Sequence, residues 1–176
     1  MKEKWSGRRA GKTLLWLLFI LYLAWLARLT VFRYPPALLW RQMLGIDATA
    51  LRLRLMYGCN LVPLRTISAY LFRATNMAVA RVNLIGNVAV FVPFGFVAPL
   101  LLPSLTGKRL AAAAAAGSLG LELAQFVTGA GSFDVDDILL NTLGAGIGFT
   151  VYKLWRRLAT AEENRTEQAP EKDAGL

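Results

Sequence analysis

The sequence predicts an all-α membrane protein: a bundle of four transmembrane helices with an arginine-rich interfacial or extracytoplasmic loop between helices 1 and 2. Hydrophobic residues make up 56% of the 176 positions, and the mean hydropathy of +0.45 is too high for a soluble domain of this size. Apolar runs of about 20 residues recur, and at ~1.5 Å per residue each can cross a hydrocarbon core ~30 Å thick. The predicted spans are about residues 13–32, 82–102, 108–127 and 135–155.

The composition excludes several classes of function. The chain has no histidine and one cysteine, Cys59, so the usual proton shuttle and the commonest metal ligand are missing and no intrachain disulfide can form. No nucleotide-binding glycine motif is present. The formal net charge of +9 suits anionic lipid head groups better than nucleic acid, because apolar spans dominate. The sequence therefore predicts membrane lipids as partners, no nucleic acid, no cofactor and no metal.

The N-terminal part predicts a cytoplasmic tail followed by the first span. Residues 1–12 hold five basic residues and one acid, and such a basic flank places the N-terminus in the cytoplasm. The apolar run 13–32 is too long for the core of a signal peptide, and no small-residue cleavage site follows it. Arg28, near its far end, can extend to the lipid head groups.

Residues 33–81 are the least regular part and contain seven arginines and one acid. Leucine and arginine alternate over residues 51–55, which predicts a short strand or an extended interfacial segment. Pro63 suits the first turn of a following helix. In that helix Leu64, Ile67 and Leu71 share one face, so we expect it to lie in the membrane interface.

Small residues and prolines mark the later spans. The prolines at 93, 99 and 103 should kink or end the second span. Ala112, Ala116 and Gly120 recur every four residues and predict a close-packing surface on the third span, while Gly144 and Gly148 predict one on the fourth. Residues 158–176 are polar and acidic, which predicts a disordered cytoplasmic tail after a membrane domain of residues 13–157.

The number of spans fixes a predicted orientation. Four spans and a cytoplasmic N-terminus place the C-terminus in the cytoplasm as well. The turn at 103–108, flanked by Lys108 and Arg109, then lies inside, and the acidic turn at 128–134 lies outside, as the positive-inside rule expects. The arginine-rich segment 33–81 conflicts with that rule, because the span count places it outside.

Polar residues gather where three predicted spans approach the outer rim. Asp134, Asp137 and Asn141 have the i, i+3, i+7 spacing that places them on one face of a continuous helix. The polar residues of the second and third spans lie within about six residues, or ~9 Å, of the same rim. The predicted ligand-binding residues are Asn83, Asn87, Glu122, Gln125, Asp134, Asp137 and Asn141, with Arg81 and Arg65 as countercharges.

These residues also have purely structural interpretations. Asp134 and Asp136 can cap the fourth helix, whose dipole favours negative charge at its N-terminus. The amides of the three spans can be hydrogen-bond links between helices, worth ~1 kcal/mol each. Glu122 lies inside an apolar helix where no cap needs it, so a functional site is its default interpretation.

The order and spacing of these segments resemble the VanZ-like family of bacterial membrane proteins. The resemblance covers roughly residues 14–155 and rests on Asn-Leu-Val-Pro-Leu (60–64), Asn-Leu-Ile-Gly-Asn (83–87), Phe-Val-Pro-Phe-Gly-Phe (91–96), Glu122 with Gln125, and residues 132–144. It implies a small integral membrane protein of a Gram-positive-type bacterium. The founding member is associated with resistance to teicoplanin, a glycopeptide antibiotic that acts on cell-wall precursors outside the membrane. The family often has an arginine where this chain has Gly-Ala-Gly (129–131), and Arg81 or Arg65 must replace it if that arginine pairs with an acid.

Three functions fit this arrangement. The first is binding of, or control of access to, a polar-headed ligand at the outer face: a glycopeptide antibiotic, a lipid-linked cell-wall precursor or a phospholipid. Such binding would contribute to resistance or to envelope homeostasis. The second is an intramembrane enzyme that uses Glu122 and Asp137 as acid and base, or holds a divalent ion between them with Asn87 and Asn141. The absence of histidine and of a nucleophile motif argues against it. The third is an oligomeric transporter or channel.

Overall fold

The structure, a computed structural model, describes residues 2–32 and 34–168, without the side chains of 2–9, 163 and 166–168. Statements about its architecture refer to these residues. The elements in chain order are α1 (Lys2–Thr30), α2 (Pro36–Leu44), α3 (Ala48–Tyr57), β1 (Cys59–Asn60), α4 (Arg65–Phe72), α5 (Met77–Leu101), α6 (Gly107–Thr128), β2 (Phe133–Asp134) and α7 (Val135–Gln168). The all-α class is therefore confirmed, with one short parallel pair between β1 and β2.

Three helices of the described chain are long and apolar enough to cross a membrane. They are Ala10–Thr30 in α1, and α5 and α6 over their full lengths. They match the first three predicted spans closely, although α5 begins five residues earlier than predicted and continues through Pro93 and Pro99. The described part of α7 does not meet the same criteria of length and composition.

Both ends of the described chain are more helical than predicted. α1 begins at Lys2, so the basic tail is part of the first helix. α7 continues to Gln168, so residues 158–168 are helical rather than disordered. Ala159, Ala161 and Glu162 favour helix and extend the helix already formed by the preceding residues. The rest of the predicted tail, residues 169–176, lies outside the described residues.

Close packing of α5 against α7 organises the bundle. A Cβ atom at Gly144 would overlap the backbone oxygen of Val88, and one at Gly148 would overlap that of Val92. Gly95 of α5 likewise faces the backbone of Ala145. The close approach predicted for Gly144 and Gly148 is therefore confirmed, and α5 is the partner helix.

Two apolar clusters fill the bundle along its length. Leu26, Phe91, Ala114 and Ala145 form one of them, while Phe19, Ala98, Leu101 and Leu110 form the other. Each cluster combines residues of α1, α5 and α6, and Ala145 adds α7 to the first cluster.

The packing surface predicted on α6 is wrong for this chain. Ala112, Ala116 and Gly120 are all exposed, and no atom outside the neighbouring backbone would lie within 4 Å of a Cβ at Gly120. The buried row of α6 is Leu110, Ala114, Ser118 and Glu122. It has the same four-residue period but is shifted by two positions, which is about half a turn away on a helix.

The arginine-rich segment is helical where an extended conformation was predicted. Residues 51–55 belong to α3, and Asp47 caps this helix by accepting a hydrogen bond from the backbone N–H of Ala50 at 2.7 Å. The short Leu/Arg alternation was therefore misleading, because five residues are too few to distinguish a strand from a helix. α4 begins at Arg65, so Pro63 lies in the preceding turn rather than in the first helical turn.

Candidate functional site

The buried carboxylate of Asp136, at the start of α7, caps α4. Asp136 is completely buried. Its Oδ1 accepts a hydrogen bond from the N–H of Leu64 at 2.5 Å, and its Oδ2 accepts from Thr66 at 2.7 Å and Ile67 at 3.1 Å. These donors lie at the N-terminus of α4, where the first N–H groups have no partner within the helix and the dipole favours a negative charge. The capping role predicted for Asp136 is therefore real, but on a different helix from the one expected.

The conformation of Leu64 makes this arrangement possible. Leu64 has a φ of +66°, in the left-handed region, which costs a residue with a Cβ about 1–2 kcal/mol. In this conformation its N–H points at the same carboxylate as the N–H groups of Thr66 and Ile67. Three backbone donors thus converge on one buried acid and offset the strain at Leu64.

Asp134 caps α7 and also ties β1 to β2. Its Oδ1 accepts from the backbone N–H of Asp136 at 2.8 Å, which is the predicted cap of its own helix. The same oxygen accepts from the side chain of Asn60 at 2.9 Å, and Oδ2 accepts from the hydroxyl of Thr66 at 2.5 Å. Asn60 and Asp134 are also paired in the parallel β1–β2 register. The turn after α6 is therefore fastened to the arginine-rich segment by side chains and backbone together.

Glu122 supports the contact between the α6–α7 turn and the arginine-rich segment from inside the bundle. It is 3% exposed, and its Oε2 accepts a hydrogen bond from the backbone N–H of Asp134 at 2.9 Å. The carboxylate therefore has a structural partner at the start of α7. Glu122 is beside the predicted site, but it does not line the cavity described below.

Amide side chains of α5 connect that helix to α7 and α4. The Nδ2 of Asn87 donates to Oδ1 of Asp137, and the Nδ2 of Asn83 donates to the hydroxyl of Tyr70 at 3.1 Å. Asn83 and Asn87 are one turn apart, so α5 presents two amides along one face. Both amides line the cavity described below.

A polar cavity of about 300 Å³, called the acidic cavity below, lies at the end of the bundle where α6 ends and α7 begins. It is enclosed by five helices and the α6–α7 turn, and its lining residues are Leu29, Thr30, Thr66, Tyr70, Asn83, Asn87, Gln125, Ser132, Asp134 and Asp137. Five of these were predicted from the sequence: Asn83, Asn87, Gln125, Asp134 and Asp137. The structure therefore brings together polar residues of three helices that are far apart along the chain.

The lining of this cavity is negatively charged and rich in hydrogen-bond acceptors. Asp134 and Asp137 contribute carboxylates, and no lysine or arginine is among its described lining residues. Hydroxyl and amide groups supply the remaining polar atoms, which can both donate and accept. The arrangement is therefore complementary to a ligand group that donates hydrogen bonds, such as an ammonium or a set of sugar hydroxyls.

Asn141 lies elsewhere, in the contact between α6 and α7. It is buried, and its Nδ2 donates to the hydroxyl of the buried Ser118 at 2.8 Å. This is the interhelical link proposed as its structural interpretation. Asn141 therefore does not line the cavity that Asn87 lines. Among the described residues, no group of three or more His, Cys, Asp or Glu could hold a metal ion.

The predicted countercharges are not at the cavity. Arg65 and Arg81 are exposed, and neither lines it. Instead Arg54 reaches the C-terminus of α6, where its Nη1 donates to the carbonyl oxygens of Phe126 and Val127 at 3.2 Å each. Its guanidinium lies against Gly129, beside the turn where the family often has an arginine. A cation at a helix C-terminus satisfies carbonyls left without N–H partners.

Sequence reasoning missed the hydroxyl groups of the site. Thr30 lies in an apolar run, and Thr66, Tyr70 and Ser132 are not among the predicted ligand-binding residues, yet all four line the cavity. The turn signal at Pro63 was the only local indication that a polar helix start would be present near Thr66. The distance of 68 residues between Thr66 and Asp134 leaves no spacing pattern that a single sequence can reveal.

Fold and site together define a small helical membrane protein that encloses an acidic, acceptor-rich cavity at one end of its bundle. Comparison with known families gives the more specific assignment: residues 19–156 match the VanZ/LLP1 family. Since the match covers more than half of the chain, the protein belongs to the VanZ/LLP1 family.

A curated relative supports the same assignment over a shorter stretch. The chain is 31% identical over 72 residues to Protein VanZ of Enterococcus faecium, which corresponds to 41% of this chain and 45% of that protein. The matching region therefore spans less than half the length of the relative. No solved structure matches the chain.

Proposed function

We propose that this protein binds, or controls access to, a polar-headed ligand at the outer face of a bacterial membrane. By this action it would contribute to resistance against teicoplanin-type glycopeptides or to envelope homeostasis. The observation that supports this proposal is the acidic cavity, whose lining includes two carboxylates within a bundle of largely apolar helices. Acids at membrane depth are costly and are usually retained for function.

The proposal includes four spans with both termini in the cytoplasm. In this orientation α7 is the fourth span from residue 135 to about 155, a length of ~30 Å. Its contact with α5 through Gly144 and Gly148 supports a position inside the bundle. The acids at its start have protein partners, since Asp136 accepts from α4 and Asp137 from Asn87. Satisfied acids reduce the cost of placing this end of α7 near hydrocarbon.

The orientation places the cavity at the outer face, with α2, α3 and α4 along the interface. Large apolar side chains of these short helices are exposed, including Trp40, Leu44, Tyr57 and Phe72. Such side chains suit the boundary between head groups and hydrocarbon. The arginines of the same segment are then available to lipid phosphates.

The size and charge of the cavity restrict the ligand. Pockets for drug-sized molecules begin at ~300 Å³, so a cavity of about 300 Å³ holds one head group rather than a complete glycopeptide. The carboxylates of Asp134 and Asp137 favour an amino or polyhydroxyl group and disfavour a free phosphate or carboxylate. An amino sugar, which occurs in glycopeptides and in wall precursors, combines both favoured features.

The first prediction tests this site by replacing one carboxylate. Asp137→Asn removes a negative charge while keeping the shape of the side chain, and we expect a host that expresses it to lose most of the teicoplanin protection given by the wild type. The measurement is the minimal inhibitory concentration at equal amounts of membrane-inserted protein. Asp47→Asn is the matched control, because Asp47 caps α3 away from the cavity and asparagine caps equally well.

Retention of full protection by Asp137→Asn would contradict the proposal, as would loss of protection in both variants to the same degree. Two further measurements separate binding from the other functions of the same cavity. Turnover of a lipid-linked wall precursor by the purified protein would indicate that the protein is an enzyme rather than a binding protein. Flux of the precursor or the antibiotic across the membrane of proteoliposomes would indicate that the protein is a transporter or channel.

A further inference from the structure

A second cavity, called the basic groove below, lies at the opposite end of the bundle from the acidic cavity. It has a volume of about 730 Å³ and lies between the start of α6 and the C-terminal half of α7. Its lining residues are Pro103, Leu105, Thr106, Gly107, Phe149, Tyr152, Lys153, Arg156, Arg157, Thr160, Ala161 and Asn164. None of them lines the acidic cavity, so the two sites are separate.

The chemistry of this groove is the opposite of that of the acidic cavity. Lys153, Arg156 and Arg157 supply three positive charges, and its described lining contains no carboxylate. The start of α6 adds the positive end of a helix dipole, because Thr106 and Gly107 also line the groove. The groove is therefore complementary to an anion.

The basic side chains lie along an aromatic floor that Phe149 and Tyr152 form. The Nζ of Lys153 is 4.8 Å from the centre of the Phe149 ring, a cation–π contact. The Nη1 of Arg156 donates to the hydroxyl of Tyr152 at 3.4 Å. These contacts hold positive charge directly above apolar surface.

The order of residues along α7 matches the order of groups in a phospholipid. Phe149 and Tyr152 come first and are apolar, the three basic residues follow, and Thr160 and Asn164 form the polar end. An acyl chain, a phosphate and a polar head group have the same sequence of properties. A free phosphate would use only the middle of this groove and leave its apolar floor uncovered.

We propose that this groove is a binding site for one anionic phospholipid, whose phosphate lies between Lys153, Arg156 and Arg157 and whose acyl chain covers Phe149. Arginine suits this role because its forked donors match phosphate oxygens. The site is independent of the ligand in the acidic cavity. The basic end of α7 would then bind one specific lipid. This binding adds to the general attraction of positive charge to an anionic membrane surface.

The test is retention of lipid by the full-length protein, measured by native mass spectrometry in detergent. The probes are phosphatidylglycerol and phosphatidylcholine with identical acyl chains. We expect one tightly held phosphatidylglycerol per protein, and we expect Arg156→Gln combined with Arg157→Gln to bind it about thirtyfold more weakly. Lys108→Gln combined with Arg109→Gln removes the same charge at the same end of the bundle, outside the groove, and should leave binding unchanged.

Two further variants keep the test decisive if the glutamine variant folds poorly. Arg156→Lys combined with Arg157→Lys keeps both charges and should retain the lipid. Ala161→Trp fills the groove without changing its charge and should expel the lipid. Equal weakening by the two glutamine pairs, equal retention of phosphatidylcholine, or displacement of the lipid by millimolar inorganic phosphate would each overturn the proposal.

Discussion

The carboxylate of Asp136 shows how one buried residue can order a distant segment. It accepts three backbone hydrogen bonds at the start of α4, and α4 in turn supplies Thr66 and Tyr70 to the acidic cavity. The sequence predicted that Asp134 and Asp136 cap a helix, because acids before a helical run are a local signal. It could not predict that Asp136 caps α4, because no local pattern connects residues about 70 positions apart.

At this scale we predict the effect of Asp136→Asn. Asparagine keeps only one acceptor oxygen, so at least one N–H group of α4 loses its partner and faces an amide NH₂ group. We expect a loss of about 3 kcal/mol in the free energy of unfolding, with faster hydrogen exchange at the amides of Thr66 and Ile67. Exchange measured by mass spectrometry at these positions checks it. Asp47→Asn serves again as the control, and unchanged exchange in Asp136→Asn would show that the cap is dispensable.

At the scale of the elements, the contact between α5 and α7 determines where the cavity residues lie. Gly144 and Gly148 let the two backbones approach, and this approach brings Asn87 to Asp137. The spacing of these glycines predicted the contact, because close helix packing needs small residues at four-residue intervals. The same pattern on α6 failed at Ala112, Ala116 and Gly120, because spacing alone does not say which face meets a partner.

Two glycines of α7 provide a matched prediction. Gly144→Ala places a methyl group against the backbone of Val88, and we expect a loss of about 2 kcal/mol from overpacking. Gly146→Ala has no atom within 4 Å of the new methyl group, so we expect no loss and a gain of up to about 1 kcal/mol from helix propensity. Thermal unfolding of the purified variants in detergent measures both. A Gly144→Ala variant as stable as the wild type would show that α5 and α7 can separate without cost.

For the whole molecule, the arrangement places opposite charges at opposite ends. The acidic cavity lies where α6 ends and α7 begins, and the basic groove lies where α6 begins and α7 continues beyond the bundle. Apolar runs, together with Pro103 after α5 and Gly129 after α6, were sufficient to predict α5 and α6 within a few residues. The convergence of polar residues was predicted from their depth in the spans. Glu122 and Asn141 do not line the cavity, because Glu122 holds the start of α7 and Asn141 links α7 to α6.

The proposed orientation is testable with single cysteines in a Cys59→Ser background. Leu61 is exposed at the end of the bundle that holds the acidic cavity, and Ser104 is exposed in the turn between α5 and α6. We expect Leu61→Cys to react with a membrane-impermeant maleimide in intact cells, and Ser104→Cys to react only after permeabilisation. The reverse pattern would place the acidic cavity on the cytoplasmic side.

The cap on α4 has a consequence for biosynthesis. The oxygens of Asp136 accept from backbone groups that lie 69–72 residues earlier in the chain, and chains are made from the N-terminus. While α4 is leaving the ribosome, its acceptor has not yet been translated, and the left-handed turn at Leu64 has nothing to hold it. The walls of the cavity can therefore close only after the final helix is in place, so a nascent or truncated chain that ends before α7 would lack the site for the proposed ligand.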